Sequence, residues 1–306
     1  MKLELDHLRK IAGEASSAHV ANMTSIVVAV NSTAAMSGLD RPHRLAHFLA
    51  QVAHESGRFR YDREVWGPTP AQKRYEGRKD LGNDEAGDGS LFRGRGPIQV
   101  TGRANVEEFE EWCNDLDLGP VPDFSKTPDA INTDPWEGLS AVWYWTTRNL
   151  NRYADEASCN IEMVTRRING GVNGLEDRIQ LYVRAALVLL GYDLQTDGVV
   201  ERFQQDVGEK VDGTAGPDTR KAMQRMLVAR GGSASVVATE RVEKTKSILA
   251  EIRTHPVAPM PTGAGAAPSE PIVVTTPKPT ASTTNQTIGD LILALIAAIF
   301  GRKRST

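Results

Sequence analysis

Apolar residues along the first two thirds of the chain recur with the spacing of α-helices. The clearest case is the stretch DRPHRLAHFLAQVAHESG, residues 40–57. Its apolar positions follow the i, i+3, i+4, i+7 pattern of one buried helix face, and they are Leu45, Phe48, Leu49 and Val52. Asp40 can cap the start, Pro42 suits the first turn, and Gly57 offers a stop. The pattern therefore predicts a helix whose last turn contains Glu55.

Further stretches extend the helical prediction, whereas strand patterns are scarce. A second helix is predicted in DPWEGLSAVWYW, where Asp134 and Glu137 give a capping-box-like start. NIEMVTRRI and EDRIQLYVRAALVLLG carry the same periodicity. The best strand candidates are short pieces at 59–65 and 98–100, and the segment 69–97, rich in Gly, Asp, Arg and Pro, is predicted to be a long functional loop. The fold class is therefore expected to be mainly α.

Changes in composition divide the chain into four parts. Residues 1–192 form the predicted main helical domain. Residues 193–230, which include the turn VDGTAG, form a smaller helical module. Residues 231–287 hold one more predicted helix and a linker rich in Pro, Thr and Ala, which cannot bury enough surface to fold. Residues 288–306 form a hydrophobic and basic tail.

The tail is too short to cross a membrane comfortably. Its apolar run, 288–300, contains Asp290 and gives about 20 Å of helix, against a hydrocarbon core of about 30 Å. The basic cluster at 302–304 suits an interfacial helix that is attracted to anionic bacterial lipid. A helix that packs on another subunit is the alternative interpretation, and the sequence does not separate the two.

Composition and charge narrow the function classes. With 306 residues, of which 40% are apolar, the chain can bury a sizeable core, and its formal net charge of −3 gives no indication of a nucleic-acid partner. Two cysteines, Cys113 and Cys159, are too few for a disulfide framework, so a reduced compartment is the default and a single bridge stays open. The amino terminus, MKLELDHLRKIAGE, lacks the apolar core of a secretory signal, which predicts synthesis in the cytoplasm.

Two glutamates nine positions apart, Glu55 and Glu64, stand out as candidate chemistry. Glu55 falls at the edge of the apolar stripe in the last helical turn, where partial desolvation and the helix dipole both favour its protonated form. Glu64 has Arg60 and Arg63 nearby in sequence, and opposite charge favours the ionised form. One protonated and one ionised carboxyl beside a cleft are typical of glycoside hydrolysis, although such glutamates are also ordinary surface residues.

Competing chemistries fit the sequence poorly. HESGR begins like the zinc motif H-E-x-x-H, but Arg58 replaces the second ligand. His43 and His47 are spaced to share a metal ion, yet no further ligand is evident and packing roles are favoured. GRGPIQ resembles a dinucleotide-binding fingerprint, but Gln99 replaces its third glycine. No metal or cofactor is therefore predicted.

Four blocks of sequence, in this order, resemble the family-19 glycoside hydrolases, which are the plant-type chitinases and related bacteriophage endolysins. The blocks are FLAQVAHESG, REVWGPTPAQKRYEGRKDLGN, FRGRGPIQVTGRAN and INGGVNGLEDR, within residues 20–190. The insert TPAQKRYEGRKDLGN is more similar to the phage and bacterial branch. The resemblance implies a mainly helical, lysozyme-like or chitinase-like fold with a deep cleft. It also implies inversion at the anomeric carbon, for which the two carboxyl groups lie about 6.5–9.5 Å apart.

The resemblance assigns the catalytic roles residue by residue. Glu55 of HES matches the general acid that protonates the glycosidic oxygen. Glu64 is the simplest match for the base that activates water, and Glu76 of RYEGR is a rival because the equivalent glutamate of chitinases lies farther along the chain. Thr101 stands where the family has a Ser or Thr that positions the water, although it could also be a helix N-cap.

Further positions match the family's substrate contacts. Gln99, Asn105 and Asn169 match residues that hydrogen-bond the sugar, including its N-acetyl group. Arg178 matches an arginine that steadies the acidic residues. Trp66 could stack on a sugar ring, whereas the tryptophans of DPWEGLSAVWYW are predicted to be core residues.

The second unit resembles a small peptidoglycan-binding module in shortened form, whose hallmark turn is carried by Asp212, Gly213, Gly216, Pro217 and Thr219. A helical hairpin that closes the first domain is the alternative. The predicted function is thus an endolysin made in the host bacterial cytoplasm, released through a holin-type membrane lesion, and acting on peptidoglycan glycan strands. A bacterial chitinase, a lytic transglycosylase and a non-catalytic wall-binding protein are the other hypotheses.

Overall fold

The computed structural model describes residues 1–13, 17–116 and 120–231. Helices account for its regular structure, and no strand longer than an isolated bridge forms in this part of the chain. The helices are α1 Leu5–Ala12, α2 Ser17–Ser37, α3 Pro42–Glu55, α4 Pro70–Lys73, α5 Asp88–Leu91, α6 Arg103–Asp115, α7 Trp136–Thr147, α8 Asn151–Ala154, α9 Ile161–Asn169, α10 Leu175–Leu190, α11 Val199–Val207 and α12 Pro217–Arg230. The mainly α fold class is therefore confirmed.

Helix α3 follows its sequence pattern closely. It begins at Pro42, whose fixed φ suits the first turn, and it ends at Glu55. The N-cap is Arg41, one residue later than predicted, and its side chain makes no capping bond. The helix lies in the interior of the protein, and eleven of its fourteen residues are buried. The partly exposed residues are Arg44 in the first turn and His54 and Glu55 at the carboxyl end.

Two helix pairs build the core. Helix α2 packs on α7, and α3 packs on α10. Gly138 allows the first pair to approach closely, since a Cβ at this position would collide with the Ser25 carbonyl, and its own N–H donates to Ser25 Oγ at 3.0 Å. Helix α6 also contacts α7, where the Phe109 ring lies 5.6 Å from the Trp143 ring. Trp136 and Trp143 are both buried, as predicted.

The region between α3 and α6 corrects two predictions. The short strands predicted there reduce to isolated bridges that pair Arg63 with Arg95 and Arg95 with Val100. The predicted loop 69–97 contains α4, α5 and a 3₁₀ turn, Lys79–Leu81. Thr69 and Gln72 form a reciprocal capping box on α4, which explains why so short a helix is stable here.

Helix α12 continues the packing of the main unit. The fully buried side chains of Met223 and Leu227 belong to α12, which packs on α10 and α3. Gln224 Nε2 donates to the Ala154 carbonyl at 2.6 Å, and the Tyr182 hydroxyl donates to Gln224 Oε1 at 3.0 Å. Helix α12 follows residue 192 in the chain, yet it packs on α10 and α3, which precede that residue. The division of the chain into two units at residue 192 therefore stays a prediction.

Gln204 organises the turn VDGTAGPDT. Its Nε2 donates to Asp212 Oδ1 and Thr219 Oγ1, and its Oε1 accepts from the backbone N–H groups of Asp212 and Gly213. The side chain is 1% exposed, so its amide is used entirely inside the turn. Gly213 has φ 71°, a left-handed conformation that favours glycine. The turn motif thus has a structural function of its own.

Two predictions lie outside the described residues. These are the helix and linker of 231–287, except for Gly231, and the tail 288–306. Within the described ranges, no helix combines the length and the apolar character that crossing a membrane requires.

Candidate active site

Glu55 is held by an arginine from the opposite helix. Arg178, in the first turn of α10, donates from Nη2 to Glu55 Oε1 at 2.5 Å. The arginine is fully buried, and the Glu55 side chain is 14% exposed. The predicted association of Arg178 with the acidic residues is therefore a direct ion pair that presents one carboxyl group at the protein surface.

A buried amide fixes the position of Arg178. Gln51 lies one turn before Glu55 on α3, and its Oε1 accepts from Arg178 Nη1. Gln51 Nε2 donates in turn to Thr165 Oγ1 at 3.4 Å, which connects α3 to α9. Gln51 is fully buried, so the guanidinium is oriented by groups that water does not reach. Sequence reasoning missed Gln51, although its position four residues before Glu55 places it on the same helix face.

Glu64 is oriented by three hydrogen-bond donors. Its Oε1 accepts from Gln72 Nε2 at 2.9 Å and from the Tyr75 hydroxyl at 3.3 Å, and its Oε2 accepts from the Gly94 N–H at 3.1 Å. The residue is 8% exposed. The sequence predicted that nearby arginines favour the ionised form of Glu64. For Arg63 this prediction is wrong, because its guanidinium pairs with Asp62 at 2.7 Å instead. Uncharged donors, rather than neighbouring cations, hold this carboxylate.

Glu76 has a different environment from Glu64. It is exposed, and its two oxygens accept from the N–H groups of Gly87 at 2.6 Å and Gly89 at 2.9 Å. Both groups lie at the start of α5, where backbone N–H groups have no partner within the helix. Glu76 therefore fixes a turn of the loop with both of its oxygens.

A tight hairpin brings Glu64 together with Gln99 and Thr101. Arg95 and Val100 exchange two backbone hydrogen bonds, at 3.1 and 2.7 Å, across this hairpin. Gly94 lies directly against Gln99 Oε1, and a Cβ at Gly94 would lie 3.2 Å from Thr101 Oγ1. Because the Gly94 N–H also binds Glu64, these side chains surround one backbone position.

The hairpin side chains are only partly paired. Gln99 has φ 53°, and its Nε2 donates to the Gly96 carbonyl at 2.9 Å. Its Oε1 is buried and has no hydrogen-bond partner among the residues that the structure describes. Thr101 Oγ1 donates to the Gln99 carbonyl at 3.1 Å, and the N-cap of α6 is Gly102, so Thr101 is not the helix cap.

Asn105 and Arg148 connect the hairpin to helix α7. Asn105 Nδ2 donates to the Thr101 carbonyl at 2.7 Å, and its Oδ1 accepts from Arg148 Nη2 at 3.2 Å. The Arg148 guanidinium lies over the ring of Tyr144, 5.0 Å from its centroid. Burial raises the pKa of Tyr144, and the charge of Glu55 adds to this effect while those of Arg148 and Arg178 oppose it. The hydrogen bonds of Asn105 thus tie the Thr101 carbonyl to Arg148 at the end of α7.

Asn169 and Trp66 are the two remaining candidate sugar contacts. Asn169 ends α9, one turn after Thr165, and its buried Oδ1 has no partner within the described ranges. Gly170 follows as the C-cap with φ 73°, a left-handed conformation that ends the helix. Trp66 is partly exposed, and its ring lies 6.1 Å from that of Tyr75, the residue that donates to Glu64.

His54 and Asp177 were missed by sequence reasoning. His54 Nδ1 lies 2.7 Å from Asp177 Oδ2, and Arg58 Nη2 donates to Asp177 Oδ1 at 2.9 Å. These residues flank Glu55 and Arg178 in sequence, and they join the end of α3 to the start of α10 a second time. Their proximity depends on contacts 119 and 123 residues apart, which no local pattern reveals.

Comparison with known proteins identifies the family. No family model matches the chain. A glycosyl hydrolase family 19 domain-containing protein of Haemophilus influenzae is 33% identical over 188 residues, and the alignment covers 52% of this chain and 86% of that protein.

The chain belongs to glycosyl hydrolase family 19. The acidic 27 kDa endochitinase of Solanum lycopersicum is 27% identical over 174 residues, and the chain spans 64% of its length. The crystal structure of chitinase C from Streptomyces griseus HUT6037 is similar with a TM-score of 0.46 and 16% identity, over 61% of this chain and 76% of that one. Family-19 membership confirms the prediction of a glycoside hydrolase.

The two histidines that were considered as metal ligands, and the two cysteines of this family-19 hydrolase, are buried in the protein. His43 Nε2 lies 3.0 Å from Asp155 Oδ1, and His47 packs on the Tyr182 ring, where burial lowers its pKa to about 3. Cys113 and Cys159 are buried free thiols. In the described part of the chain, no group of three or more His, Cys, Asp or Glu residues is arranged to hold a metal ion.

Glu137 is a buried carboxyl group next to the candidate site. It lies in the first turn of α7, is 5% exposed, and its Oε1 has no partner in the described ranges. Burial raises its pKa to about 8, and Asp62 and Asp134 add to this effect while Arg63 opposes it. The ionised form is therefore disfavoured in the folded protein.

We expect Glu137→Gln to stabilise the hydrolase at alkaline pH. An unfolded glutamate titrates near pH ~4.3, so the free energy of unfolding should fall as the pH rises from ~4.3 towards ~8. The substitution should change little at about pH 4 and add on the order of 3 kcal/mol at about pH 8. Urea unfolding at both pH values measures this. Exposed Glu111→Gln, on α6, is the control, and an equal gain for both variants at alkaline pH would contradict the expectation.

Proposed function

We propose that this family-19 hydrolase cleaves the β-1,4 bonds between N-acetylated sugars of bacterial peptidoglycan by an inverting mechanism. The observation that carries the proposal is the contrast between two carboxyl groups. Glu55 is paired with a buried guanidinium, whereas Glu64 accepts only from uncharged donors. The roles of acid and base are assigned from the family-19 resemblance, since a guanidinium beside a carboxyl group favours the ionised form and does not by itself mark Glu55 as the acid.

In the proposed mechanism Glu55 is the general acid. Its proton moves to the glycosidic oxygen as the bond to the anomeric carbon breaks, which leaves a carboxylate at the end of α3. Arg178 stabilises that carboxylate, because the guanidinium is already in place at 2.5 Å and needs no reorganisation. The interaction is stronger after proton transfer than before it, so it lowers the barrier rather than only holding the acid.

Glu64 is the proposed base. It removes a proton from a water molecule as the water oxygen attacks the anomeric carbon from the opposite face, which inverts the configuration. Gln72, Tyr75 and the Gly94 N–H fix the direction of its free lone pairs. Thr101 Oγ1 would lie 3.2 Å from a Cβ at Gly94, the residue whose N–H binds Glu64, and its hydroxyl can orient the same water.

Polar groups around the carboxyls supply the proposed sugar contacts. Gln99 Oε1 and Asn169 Oδ1 are buried acceptors that lack partners in the described structure, and an N-acetyl N–H or a sugar hydroxyl can satisfy them. Asn105 is already held by Arg148. Trp66 is partly exposed beside Tyr75, and its ring can stack on a sugar.

Peptidoglycan is favoured over chitin by the second unit. Its VDGTAGPDT turn resembles that of peptidoglycan-binding modules, and a second binding surface on the same chain raises the effective concentration of the enzyme at the polymer. Chitin is the alternative substrate, since curated relatives are described as endochitinases. The proposed biological role is that of an endolysin, which is made in the host cytoplasm, reaches the wall through a holin-type lesion, and lyses the cell.

Substrate preference tests the proposal. The full chain should reduce the turbidity of outer-membrane-permeabilised bacteria and release reducing ends from purified sacculi, with much slower turnover of chitin oligomers. NMR of the first products should show the α-anomer, as inversion of a β bond requires. Faster turnover of chitin oligomers would favour the chitinase, 1,6-anhydro ends would favour a lytic transglycosylase, and binding without solubilisation would favour a wall-binding protein.

A further inference from the structure

Arg95 is a fully buried arginine that has no part in the mechanism proposed above. Its side chain is 1% exposed. The Nε and Nη2 groups donate to Asp129 Oδ1 at 2.9 and 2.7 Å, and Nη1 donates to the carbonyl oxygens of Leu91 at 2.8 Å and Arg93 at 2.9 Å. Asp129 lies in the 3₁₀ turn Pro128–Asn132 and supplies the countercharge that a buried guanidinium requires. The two carbonyl contacts are additional to this ion pair, and both are made to the chain just before the hairpin.

The carbonyl of Arg93 and the N–H of Gly94 belong to one peptide group. Arg95 Nη1 binds the oxygen of this group at 2.9 Å, and Glu64 Oε2 accepts from its N–H at 3.1 Å. A trans peptide group is planar and its C=O and N–H point in opposite directions, so a donor that fixes the oxygen also fixes the direction of the N–H. The Glu64 N–H donates in turn to the Gly94 carbonyl at 2.9 Å. The guanidinium and the Glu64 carboxylate are therefore joined through a single rigid unit.

We propose that Arg95 is a positioning residue for the base, and that it acts on Glu64 through the Arg93–Gly94 peptide group. The inference rests on the function proposed above, in which Glu64 removes a proton from water. A carbonyl that accepts a hydrogen bond from a cation polarises its peptide group, so the N–H of that group becomes a stronger donor to a carboxylate. Arg95 thus secures Oε2 in the way that Gln72 and Tyr75 secure Oε1. The carboxylate keeps one orientation towards the attacking water.

The sugar contact of the same hairpin is held independently of the guanidinium. Gln99 Nε2 donates to the Gly96 carbonyl at 2.9 Å, and the backbone bonds between Arg95 and Val100 close the hairpin without using a side chain. Arg95→Met should therefore lower kcat about 10- to 100-fold, which is the effect of one lost hydrogen bond from a charged group. KM should stay within about twofold of wild type, because the loss falls on the base and not on the sugar contact.

The experiment compares Arg95→Met and Arg95→Lys with the control Arg44→Met, in the full chain on purified sacculi. Arg44 is a matched arginine, because its Nε and Nη2 also donate to one carboxylate, that of Asp155, at 2.6 and 2.7 Å. It lies at the opposite end of α3 from Glu55, so its variant should keep kcat within about threefold of wild type. Arg95→Lys keeps the charge beside Asp129 and should fold even if Arg95→Met does not, with a smaller loss of kcat. Thermal unfolding measures the stability of each variant.

A double-mutant cycle separates positioning of the base from support of the fold. In a Glu64→Gln background there is no base to orient, so either Arg95 substitution should lower the remaining activity by less than about twofold. A residue that only stabilises the fold would give losses that multiply in the double variants.

The outcomes separate the two proposals. Multiplying losses in the cycle, or an equal loss of kcat in Arg44→Met, would overturn the role of Arg95. A rise in KM without a change in kcat would also overturn it, since that result would mean that the guanidinium supports the sugar contact of Gln99. Absence of glycan hydrolysis by the wild-type protein would instead contradict the proposed function.

Discussion

Glu55→Gln is expected to lower glycan hydrolysis by about 10²- to 10⁴-fold, the usual contribution of a positioned general acid. Glutamine keeps the size of the side chain, and its amide oxygen can still accept from Arg178, so the fold should persist. Only the transferable proton is lost. Release of reducing ends from sacculi measures the effect, and circular dichroism with thermal unfolding checks that the variant is folded.

The leaving group gives a sharper test of the acid role. An aryl glycoside with a good leaving group needs no protonation, so Glu55→Gln should be far less impaired on it than on the natural glycan. Glu162→Gln is the control, because Glu162 is exposed on α9 and pairs only with Arg166 four residues along in the described structure. Equal losses on both substrates would mean that Glu55 contributes to binding or folding rather than to proton transfer.

The part of this site that lies within one helix could be predicted from the sequence. Pro42 and Gly57 bracket α3, and the apolar spacing between them fixes the face to which Glu55 belongs. The chemistry around it could not be predicted in the same way. The pair of Glu55 with Arg178 spans 123 positions, and the pair of Gln51 with Arg178 spans 127. Local periodicity carries no information about such contacts, and only family resemblance indicated Arg178.

The Glu64 side shows a different limit. Its donors Gln72 and Tyr75 lie in a segment whose composition predicted a loop, yet they belong to or follow a capped four-residue helix. A helix of this length has too few residues for a periodic signal, so its stability comes from the capping box and from burial. The sequence neighbours of Glu64 suggested cations as its partners. The folded chain supplies uncharged donors instead, because Arg63 binds Asp62.

Glu64→Gln is expected to lower hydrolysis by about 10²- to 10⁴-fold, because the attacking water would lose its base. Glu76→Gln is the matched comparison, since Glu76 is the alternative base in the same segment of sequence. It should keep the activity within about tenfold of wild type and lose about 0.5–1.5 kcal/mol of stability, because one hydrogen bond to a backbone N–H is lost and water can replace the acceptor at this exposed turn. Activity on sacculi and urea unfolding measure the two effects separately.

Azide distinguishes a lost base from a distorted site. It is a nucleophile that needs no deprotonation, so it should restore turnover to Glu64→Ala by forming an α-glycosyl azide, and it should not restore Glu55→Gln on the natural glycan. The α configuration would follow because attack still comes from the face opposite the leaving group. A deeper activity loss in Glu76→Gln than in Glu64→Gln, or azide rescue of Glu76→Ala alone, would move the base to Glu76. In that case the hydrogen bonds from Gln72, Tyr75 and Gly94 would hold Glu64 for structure, and the N-terminus of α5 would have to release Glu76 during turnover.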